Sequence, residues 1–268
     1  MLPPPPHNLN RGFSLVELSI VLVILGLLTG GILAGQSLIR AAELRAVSTE
    51  YSKYVTALGT FRDKYFAMPG DMSNATKFWL TATTCPGTSA SPSTGTATCD
   101  GDGDGALAPN TANSNELFRA WQHLANAGLI EGNYTGVANS TTASNSDILF
   151  GTNIPKSKMS NSGWMLYTFG DVPASSTIYF EGSYGSILFF GASNPTCCPT
   201  SANLKPEEMW NVDTKLDDGK PGTGKVVTLE QNINCHDQTP GAGNLAGVAS
   251  YALSVNATTC SMIFRNVF

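Results

Sequence analysis

One apolar stretch near the N-terminus constrains this chain more than any other feature. Residues 13–39 read FSLVELSIVLVILGLLTGGILAGQSLI, and Glu17 is the only charged residue among them. A helix needs about 20 apolar residues to cross a bilayer, so this stretch is long enough to do so. An ordinary secretory signal has a shorter apolar stretch that follows basic residues and ends in an A-x-A-like cleavage site. Here Arg11 is the one preceding basic residue, and no such site closes the stretch.

Helical periodicity continues beyond the apolar stretch into residues 40–66. Apolar side chains recur there at intervals of three and four residues, at Leu44, Val47, Tyr51, Tyr54, Val55 and Leu58. Such a stripe is typical of a helix whose one face is covered by a globular domain. The turn signal Pro69-Gly70 then predicts the end of the helix. We therefore expect one long helix, with a lipid-facing half at residues 13–39 and an amphipathic half at residues 40–66.

The junction between residues 1–12 and the apolar stretch reads Arg11-Gly12-Phe13-Ser14-Leu15-Val16-Glu17-Leu18. This sequence resembles the processing site of type IV prepilins and type II secretion pseudopilins. The resemblance implies that residues 1–12 are a leader, that a prepilin peptidase cuts between Gly12 and Phe13, and that the new Phe13 amine is methylated. It also implies that the helix packs against copies of itself in a helical filament.

Glu17 carries the only charge of the apolar stretch. A lone carboxylate in hydrocarbon costs several kcal/mol, so it is expected to be paired or functional. In the resembling family, the glutamate at this position is matched to the terminal amine of a neighbouring subunit, which here is the amine of Phe13. The alternative is a signal anchor in which Glu17 lies shallow enough to reach the lipid headgroups.

Residues 67–268 lose the helical periodicity and break into short segments separated by Gly, Pro, Asn and Ser. Helical spacing returns at residues 116–130, and strands are predicted at residues 163–169, 176–180, 186–190, 225–229 and 250–255. Similar pilins lay an antiparallel sheet over the amphipathic half of the helix. The predicted fold class is therefore α+β, with a long N-terminal helix and an antiparallel sheet in a C-terminal globular domain.

All six cysteines lie in this C-terminal part, as expected of an exported domain with disulfides: Cys85, Cys99, Cys197, Cys198, Cys235 and Cys260. Six cysteines allow 15 pairings, among which Cys85 with Cys99 is an economical one because Pro, Gly, Ser and Thr fill the gap between them. A zinc site is disfavoured because the chain has no CxxC spacing and three histidines.

Three carboxylates alternate with glycines directly after Cys99, at Asp100, Asp102 and Asp104. Calcium takes six to eight oxygen ligands, and alternate carboxylates on a tightly turned chain can converge on it. An EF-hand is excluded because its closing glutamate would fall at Thr111, although Glu116 is another possible source of oxygen. The sequence thus predicts a Ca²⁺ site, with a solvated acidic turn as the alternative.

These features favour a structural subunit of a pilus-like filament, made as a bacterial inner-membrane precursor and then located in an extracellular or periplasmic filament. The expected partners are copies of the chain, the prepilin peptidase and a pilus or secretion assembly platform. The alternatives are a type II secretion pseudopilin, a minor subunit acting as an adhesin, and a membrane-anchored enzyme. No organised catalytic motif is present, and a net charge of -5 without a basic stripe disfavours nucleic acid.

Overall fold

The computed structural model describes residues 12–83, 85, 95–107, 116–138, 148–194, 198–243 and 245–268. By its contacts the chain divides into two units, Met1–Ala42 and Glu43–Phe268. Helix α1, Leu15–Tyr65, begins in the first unit and ends in the second. It is long and apolar enough to cross a membrane, judged by length and composition. In the first unit its large apolar side chains are exposed, from Leu15 to Ile39.

In the second unit the amphipathic part of α1 packs on the domain core. Its buried side chains include Val47, Leu58 and Phe61, and the predicted stripe residue Tyr54 is buried with them. Tyr51 stacks on Phe264 with ring centroids 4.1 Å apart. The apolar stripe read from the sequence is therefore the face that the domain covers.

The rest of the domain is built from two short helices and six strands among the described residues. They are α2 (Glu116–Asn126), β1 (Gly163–Thr168), β2 (Asp171–Val172), β3 (Gly182–Ser183), β4 (Ser186–Gly191), α3 (Pro206–Leu216), β5 (Val226–Val227) and β6 (Met262–Phe264). The main sheet has the order β1-β4-β6-β5, and each neighbouring pair is antiparallel. Strands β2 and β3 form a separate antiparallel pair. The expected α+β fold, with a long apolar N-terminal helix before an antiparallel sheet, is confirmed.

Strand β4 runs through the centre of the core, and all of its residues are buried. Its Phe190 lies opposite Trp164 of β1, and its Leu188 lies opposite Phe264 of β6. Tyr54 of α1 packs edge-on against Trp164, with ring centroids 5.5 Å apart. These contacts connect the helix to the middle of the sheet through aromatic rings.

Two of the predicted strands are wrong in detail. Residues 176–180 and 250–255 contain isolated bridges at Tyr179 and Tyr251 instead of strands. In the first segment the Ser176 hydroxyl accepts the N–H groups of Ile178 and Tyr179, so a local turn replaces the ladder. The helix predicted at residues 116–130 ends at Asn126.

Disulfides cross-link the domain. The structure joins Cys85 to Cys99 and Cys235 to Cys260. Cys198 is also disulfide-bonded, and Cys197 lies outside the described residues.

Candidate functional sites: the N-terminal segment and the acidic loops

The residues of the predicted processing site lie just before helix α1. Gly12 and Phe13 precede the helix, and the Phe13 side chain is 92% exposed. The Ser14 N–H donates to Glu17 Oε2 at 2.8 Å, and the Val16 N–H donates to Ser14 Oγ at 3.3 Å. These two hydrogen bonds form a variant of the capping box, in which the Glu17 carboxylate caps the Ser14 N–H and the Ser14 hydroxyl caps the N–H of the second helical residue, Val16.

The capping box gives Glu17 a role within its own chain. Its carboxylate lies at the positive end of the helix dipole, where a negative charge is stabilised. The Ser-x-x-Glu spacing at Ser14 and Glu17 is the sequence signal for such a cap, whereas the family resemblance implies that Glu17 pairs between subunits. The two roles use the same carboxylate, which has two oxygens and several acceptor positions.

The first acidic loop brings together Asp71, Asp102 and Asp104, each of which offers one carboxylate oxygen within 4.8 Å of the others. The Asp71 carboxylate accepts three backbone N–H groups, from Gly103 at 2.7 Å, Asp104 at 3.1 Å and Gly105 at 3.0 Å. The loop therefore wraps around Asp71. This arrangement can hold a metal ion because the carboxylate oxygens keep further lone pairs.

Glycines allow this close approach. A Cβ atom at Gly101 would lie 2.4 Å from the backbone carbon of Asp71, so a side chain there would force the two segments apart. Gly103 has a φ of +76°, a conformation that glycine adopts without strain. The glycines that alternate with the three aspartates thus fit the loop against the segment that follows α1.

Asp100 lies apart from this group. Its carboxylate accepts the Thr76 N–H at 2.8 Å and the Thr76 hydroxyl at 3.1 Å, next to a short 3₁₀ turn at Ala75–Lys77. The structure therefore brings together two of the three predicted ligands, Asp102 and Asp104, and adds Asp71. No local pattern pointed to Asp71, because it meets the loop only through tertiary folding.

The electrostatics of the loop favour a cation. Burial raises the pKa of Asp71, and the charges of Asp104 and Asp102 raise it further, while the N–H groups of Gly105 and Gly103 lower it. Glu116 is buried beside the loop, and its Oε1 accepts the Asp102 N–H at 3.2 Å. A bound cation would offset the repulsion among these carboxylates.

A second acidic group, formed by Asp213, Asp217 and Asp218, lies at the C-terminal end of helix α3. Asp213 is fully buried and accepts the Tyr251 hydroxyl at 2.7 Å, and burial raises the pKa of Asp213 to about 7. Asp217 accepts the N–H groups of Lys225 and Val226. This group connects the end of α3 to β5.

Two histidine rings hold parts of the domain together. His123 is fully buried, and its Nδ1 accepts the Gly70 N–H at 3.0 Å, so its Nε2–H donates to Thr98 Oγ at 2.9 Å. Thr98 in turn donates to Gln122 Oε1 at 2.7 Å. Burial lowers the pKa of His123 to about 3. His236 is buried too, and its Nε2 lies 2.9 Å from the carbonyl oxygen of Glu230.

Comparison with known proteins supports the reading of the N-terminus. Residues 7–33 match the family model described as the prokaryotic N-terminal methylation motif. No curated protein and no solved structure matches the chain. The motif is of the prepilin type, and it is consistent with the type IV pilin and pseudopilin family, which is structural rather than catalytic. The match covers residues near the N-terminus and does not distinguish a major pilin from a minor pilin or a pseudopilin.

Proposed function

We propose that this chain is a structural subunit of a type IV pilus-like filament, cleaved after Gly12 and assembled through the apolar part of α1. The observation that carries the proposal is the exposed apolar surface of residues 13–39, which follows a prepilin-type motif and precedes a folded domain. Large exposed apolar surfaces mark membrane or protein contacts. A bilayer covers this surface in the inner-membrane precursor, and neighbouring subunits cover it in the extracellular or periplasmic filament.

Cleavage is tested by changing Gly12 to Val. We expect the Gly12→Val chain to keep residues 1–12, to stay in the membrane and to form no filaments. Gly247→Val is the matched control, because an added side chain at that exposed glycine meets nothing within 4 Å. Electron microscopy of sheared filaments and mass spectrometry of the N-terminus provide the readouts. Filaments built from chains that retain Met1 would refute the proposal.

Two variants separate the proposed pairing of Glu17 with a neighbouring subunit from its capping of the Ser14 N–H. Glu17→Gln keeps an oxygen that can accept the Ser14 N–H but removes the charge, whereas Glu17→Leu removes both. If the carboxylate pairs with the Phe13 amine of a neighbouring subunit, filament yield falls already in Glu17→Gln. Equal filament yield from Glu17→Gln and the unchanged chain would leave capping as the whole role of this residue.

Abundance distinguishes the kinds of filament subunit. A major subunit, which we propose, dominates the protein of sheared surface filaments, and its assembly requires the prepilin peptidase and a pilus assembly platform. A minor subunit that acts as an adhesin is scarce in the same material. A pseudopilin is absent from it, and deletion of a pseudopilin abolishes secretion. Quantitative mass spectrometry of sheared filaments decides among the three.

We propose further that Ca²⁺ binds at Asp71, Asp102 and Asp104. The support is the convergence of three carboxylates within 4.8 Å and the raised pKa of Asp71 beside two like charges. Calcium favours oxygen ligands of this kind. Asp100, which the sequence also predicted as a ligand, is engaged by Thr76.

Thermal unfolding with and without Ca²⁺ tests this assignment. We expect Ca²⁺ to raise the Tm of the unchanged chain and to leave the Tm of Asp104→Asn unaltered. Asp100→Asn should start from a lower Tm but keep the Ca²⁺ shift. Asp218→Asn controls for the second acidic group, and loss of the shift in that variant alone would move the site there.

A further inference from the structure

One of the Asn-x-Ser/Thr sequences in the chain differs from the others. Their asparagines are Asn74, Asn133, Asn139 and Asn256. Such a sequence is an acceptor for glycan transfer in exported proteins when x is not proline. Bacterial oligosaccharyltransferases extend the pattern to Asp/Glu-x-Asn-x-Ser/Thr, which adds a carboxylate that a cationic group of the enzyme can pair with. Glu131 occupies this position before Asn133, and the other three asparagines have an uncharged residue there.

The acceptor segment around Asn133 lies on the surface of the domain, directly after α2. Residues 127–138 contain no helix or strand, so an enzyme can bend this segment more easily than a regular element. The Asn133 side chain is exposed, and no described residue forms a hydrogen bond with its amide group. Glu131 is 96% exposed, and its carboxylate lies 3.9 Å from the Lys53 ammonium, in an exposed ion pair that contributes little. The asparagine and the carboxylate that the enzyme recognises are therefore both accessible.

The other two described sequences of this type contain groups that the fold already uses. In the sequence that begins at Asn74, the Thr76 hydroxyl donates to the Asp100 carboxylate at 3.1 Å. In the sequence that begins at Asn256, the asparagine amide oxygen accepts the Lys205 ammonium at 2.8 Å. Asn139 lies outside the described residues. Exposure and the acidic residue thus both favour Asn133.

The residues after Asn133 indicate when a glycan would be added. Tyr134 is 8% exposed, and the Thr135 N–H donates to the Thr152 carbonyl oxygen at 3.0 Å. These contacts hold the acceptor segment once the domain has closed, so an enzyme gains access to the whole sequence before closure. Gly132 and Asn133 remain exposed in the closed domain, and a glycan on Asn133 therefore stays outside the core.

A groove beside Asn133 has room for the first sugar of a glycan. Its volume is about 280 Å³, and its lining residues are Gly95, Thr96, Ala125, Asn126, Gly132 and Asn133. None of these side chains is charged. The Asn126 amide nitrogen donates to the Thr96 carbonyl oxygen at 2.8 Å, and the lining presents amide and hydroxyl groups that can hydrogen-bond to an uncharged sugar.

We propose that Asn133 is glycosylated with an oligosaccharide whose first sugar is uncharged, an inference that rests on the proposed export of the chain as a membrane-anchored precursor. The donor is an oligosaccharide linked to a polyprenyl diphosphate, which its apolar chain holds in the same membrane. The Asn133 Nδ2 atom bonds to the anomeric carbon of the first sugar and loses a proton. The bond from that carbon to the diphosphate oxygen breaks, and polyprenyl diphosphate leaves.

Mass spectrometry of the full-length chain, purified from the cells that make it, tests the proposal. We expect the mature chain to carry the mass of one oligosaccharide on the peptide that contains Asn133, and Asn133→Gln should remove it. Glu131→Gln leaves the Asn-x-Thr sequence intact, but the modified fraction should fall at least about tenfold, because a charge-assisted bond to the enzyme is lost. Glu131→Asp should restore the modification. Asn256→Gln is the matched control and should keep the full mass.

The outcomes distinguish this proposal from the proposed function. Unmodified Asn133 in a chain that begins at Phe13 would overturn the glycosylation and leave the filament function intact. An unchanged modified fraction in Glu131→Gln would also overturn the proposal, since the acidic residue would not select the site. A chain that carries the glycan on Asn133 but forms no filaments would refute the filament function alone.

Discussion

Two glutamates of helix α1, Glu50 and Glu17, lie in different surroundings. Glu50 is buried, and its carboxylate accepts the Ser157 hydroxyl at 2.7 Å, the Trp164 indole N–H at 2.8 Å and the Lys158 N–H at 2.9 Å. Glu17 is exposed and is held by the Ser14 N–H of its own helix. The donors to Glu50 come from other segments of the domain, whereas the donor to Glu17 is local.

The two parts of the chain differ in the same way: the domain provides hydrogen-bond partners for its own buried carboxylate, and the N-terminal segment does not cover its own apolar side chains. Within the domain, the buried side chains of Glu50 and His123 are hydrogen-bonded by groups from other segments of the same domain. The N-terminal segment leaves its apolar side chains exposed, and under the proposed function a bilayer or a second copy covers them. Changes to the domain should therefore alter its stability, and changes to the segment should alter assembly.

The largest effect on stability is expected from Glu50→Leu. It leaves three donors without their acceptor, the buried Ser157 hydroxyl, the buried Trp164 indole and the partly buried Lys158 N–H, which should cost about 4 kcal/mol of unfolding free energy. Glu50→Gln, which keeps one acceptor oxygen, should cost about half as much. Urea unfolding of the detergent-solubilised chain, followed by tryptophan fluorescence, measures both.

Two control variants test whether the loss of stability is specific to the buried Glu50. Glu131→Leu alters a side chain that is 96% exposed and should change stability by less than about 0.5 kcal/mol. Glu17→Leu should leave the unfolding of the domain unchanged. If Glu17→Leu destabilised the domain as much as Glu50→Leu, the distinction between the two carboxylates would not hold.

The sequence predicted the parts of the fold that depend on local periodicity. The apolar stretch and the stripe of residues 44–58 predicted α1, and the short runs rich in apolar residues at 163–169 and 186–190 predicted β1 and β4. Helix α3 was missed, although Pro206 at its start and Glu207 in its first turn are helix signals. Strand β6 has three residues and is defined by its partners, Leu188 of β4 among them, which no local pattern reveals.

The residues of the candidate metal site could likewise be predicted only where their spacing along the chain is local. Asp102 and Asp104 were visible because their spacing is local. Asp71 joins them from a segment more than 30 residues earlier, and Asp100 leaves them because Thr76 offers it two donors. Spacing along the chain identified the loop, but tertiary contacts selected the carboxylates.

The next effect comes from His123, whose neutral ring is buried and hydrogen-bonded within the domain. Its pKa is about 3 in the folded chain, below the ordinary value of 6.5. A depressed folded pKa means that the unfolded chain binds the proton first, so stability is complete above pH 6.5 and falls as the pH drops. Between pH 7 and pH 4 this residue should remove about 3 kcal/mol of unfolding free energy.

His123→Asn tests this pH dependence. The variant should be less stable at pH 7, because the bond from the ring to Thr98 is lost, but its stability should fall less steeply towards pH 4. The pKa of His236 is lowered as well, so its contribution is present in both chains and cancels in the difference between them. Parallel pH profiles for His123→Asn and the unchanged chain would show that another group causes the acid sensitivity.

Asp100 should have a smaller effect. Asp100→Ala removes the acceptor of the Thr76 N–H and hydroxyl, which should cost about 1 kcal/mol, as the loss of a capping side chain does. Thr76→Val removes the hydroxyl while the backbone N–H remains, and it should cost less. The two variants, measured by urea unfolding, separate the backbone bond from the side-chain bond. Equal losses from both would assign the effect to the hydroxyl.

The smallest effect concerns Phe66, a residue of the domain whose large apolar side chain is exposed. Phe66 follows the last residue of α1 with a φ of 53°, and its ring is 92% exposed. A left-handed backbone costs a bulky residue about 1 kcal/mol, and an exposed ring recovers little of this through burial. Phe66→Asn should therefore raise the unfolding free energy by about 0.5 kcal/mol, because asparagine tolerates this conformation.

Phe78→Asn is the matched control, because Phe78 is also exposed but has an ordinary φ of -99°. It should give no gain in stability. If Phe66→Asn stabilises the domain but lowers filament yield, the Phe66 ring contacts a neighbouring subunit, so this part of the domain also has an apolar surface used in assembly. If stability rises and filament yield is unchanged, the apolar surface used in assembly is confined to the N-terminal segment. A loss of stability in Phe66→Asn would instead show that the ring contributes to the domain despite its exposure.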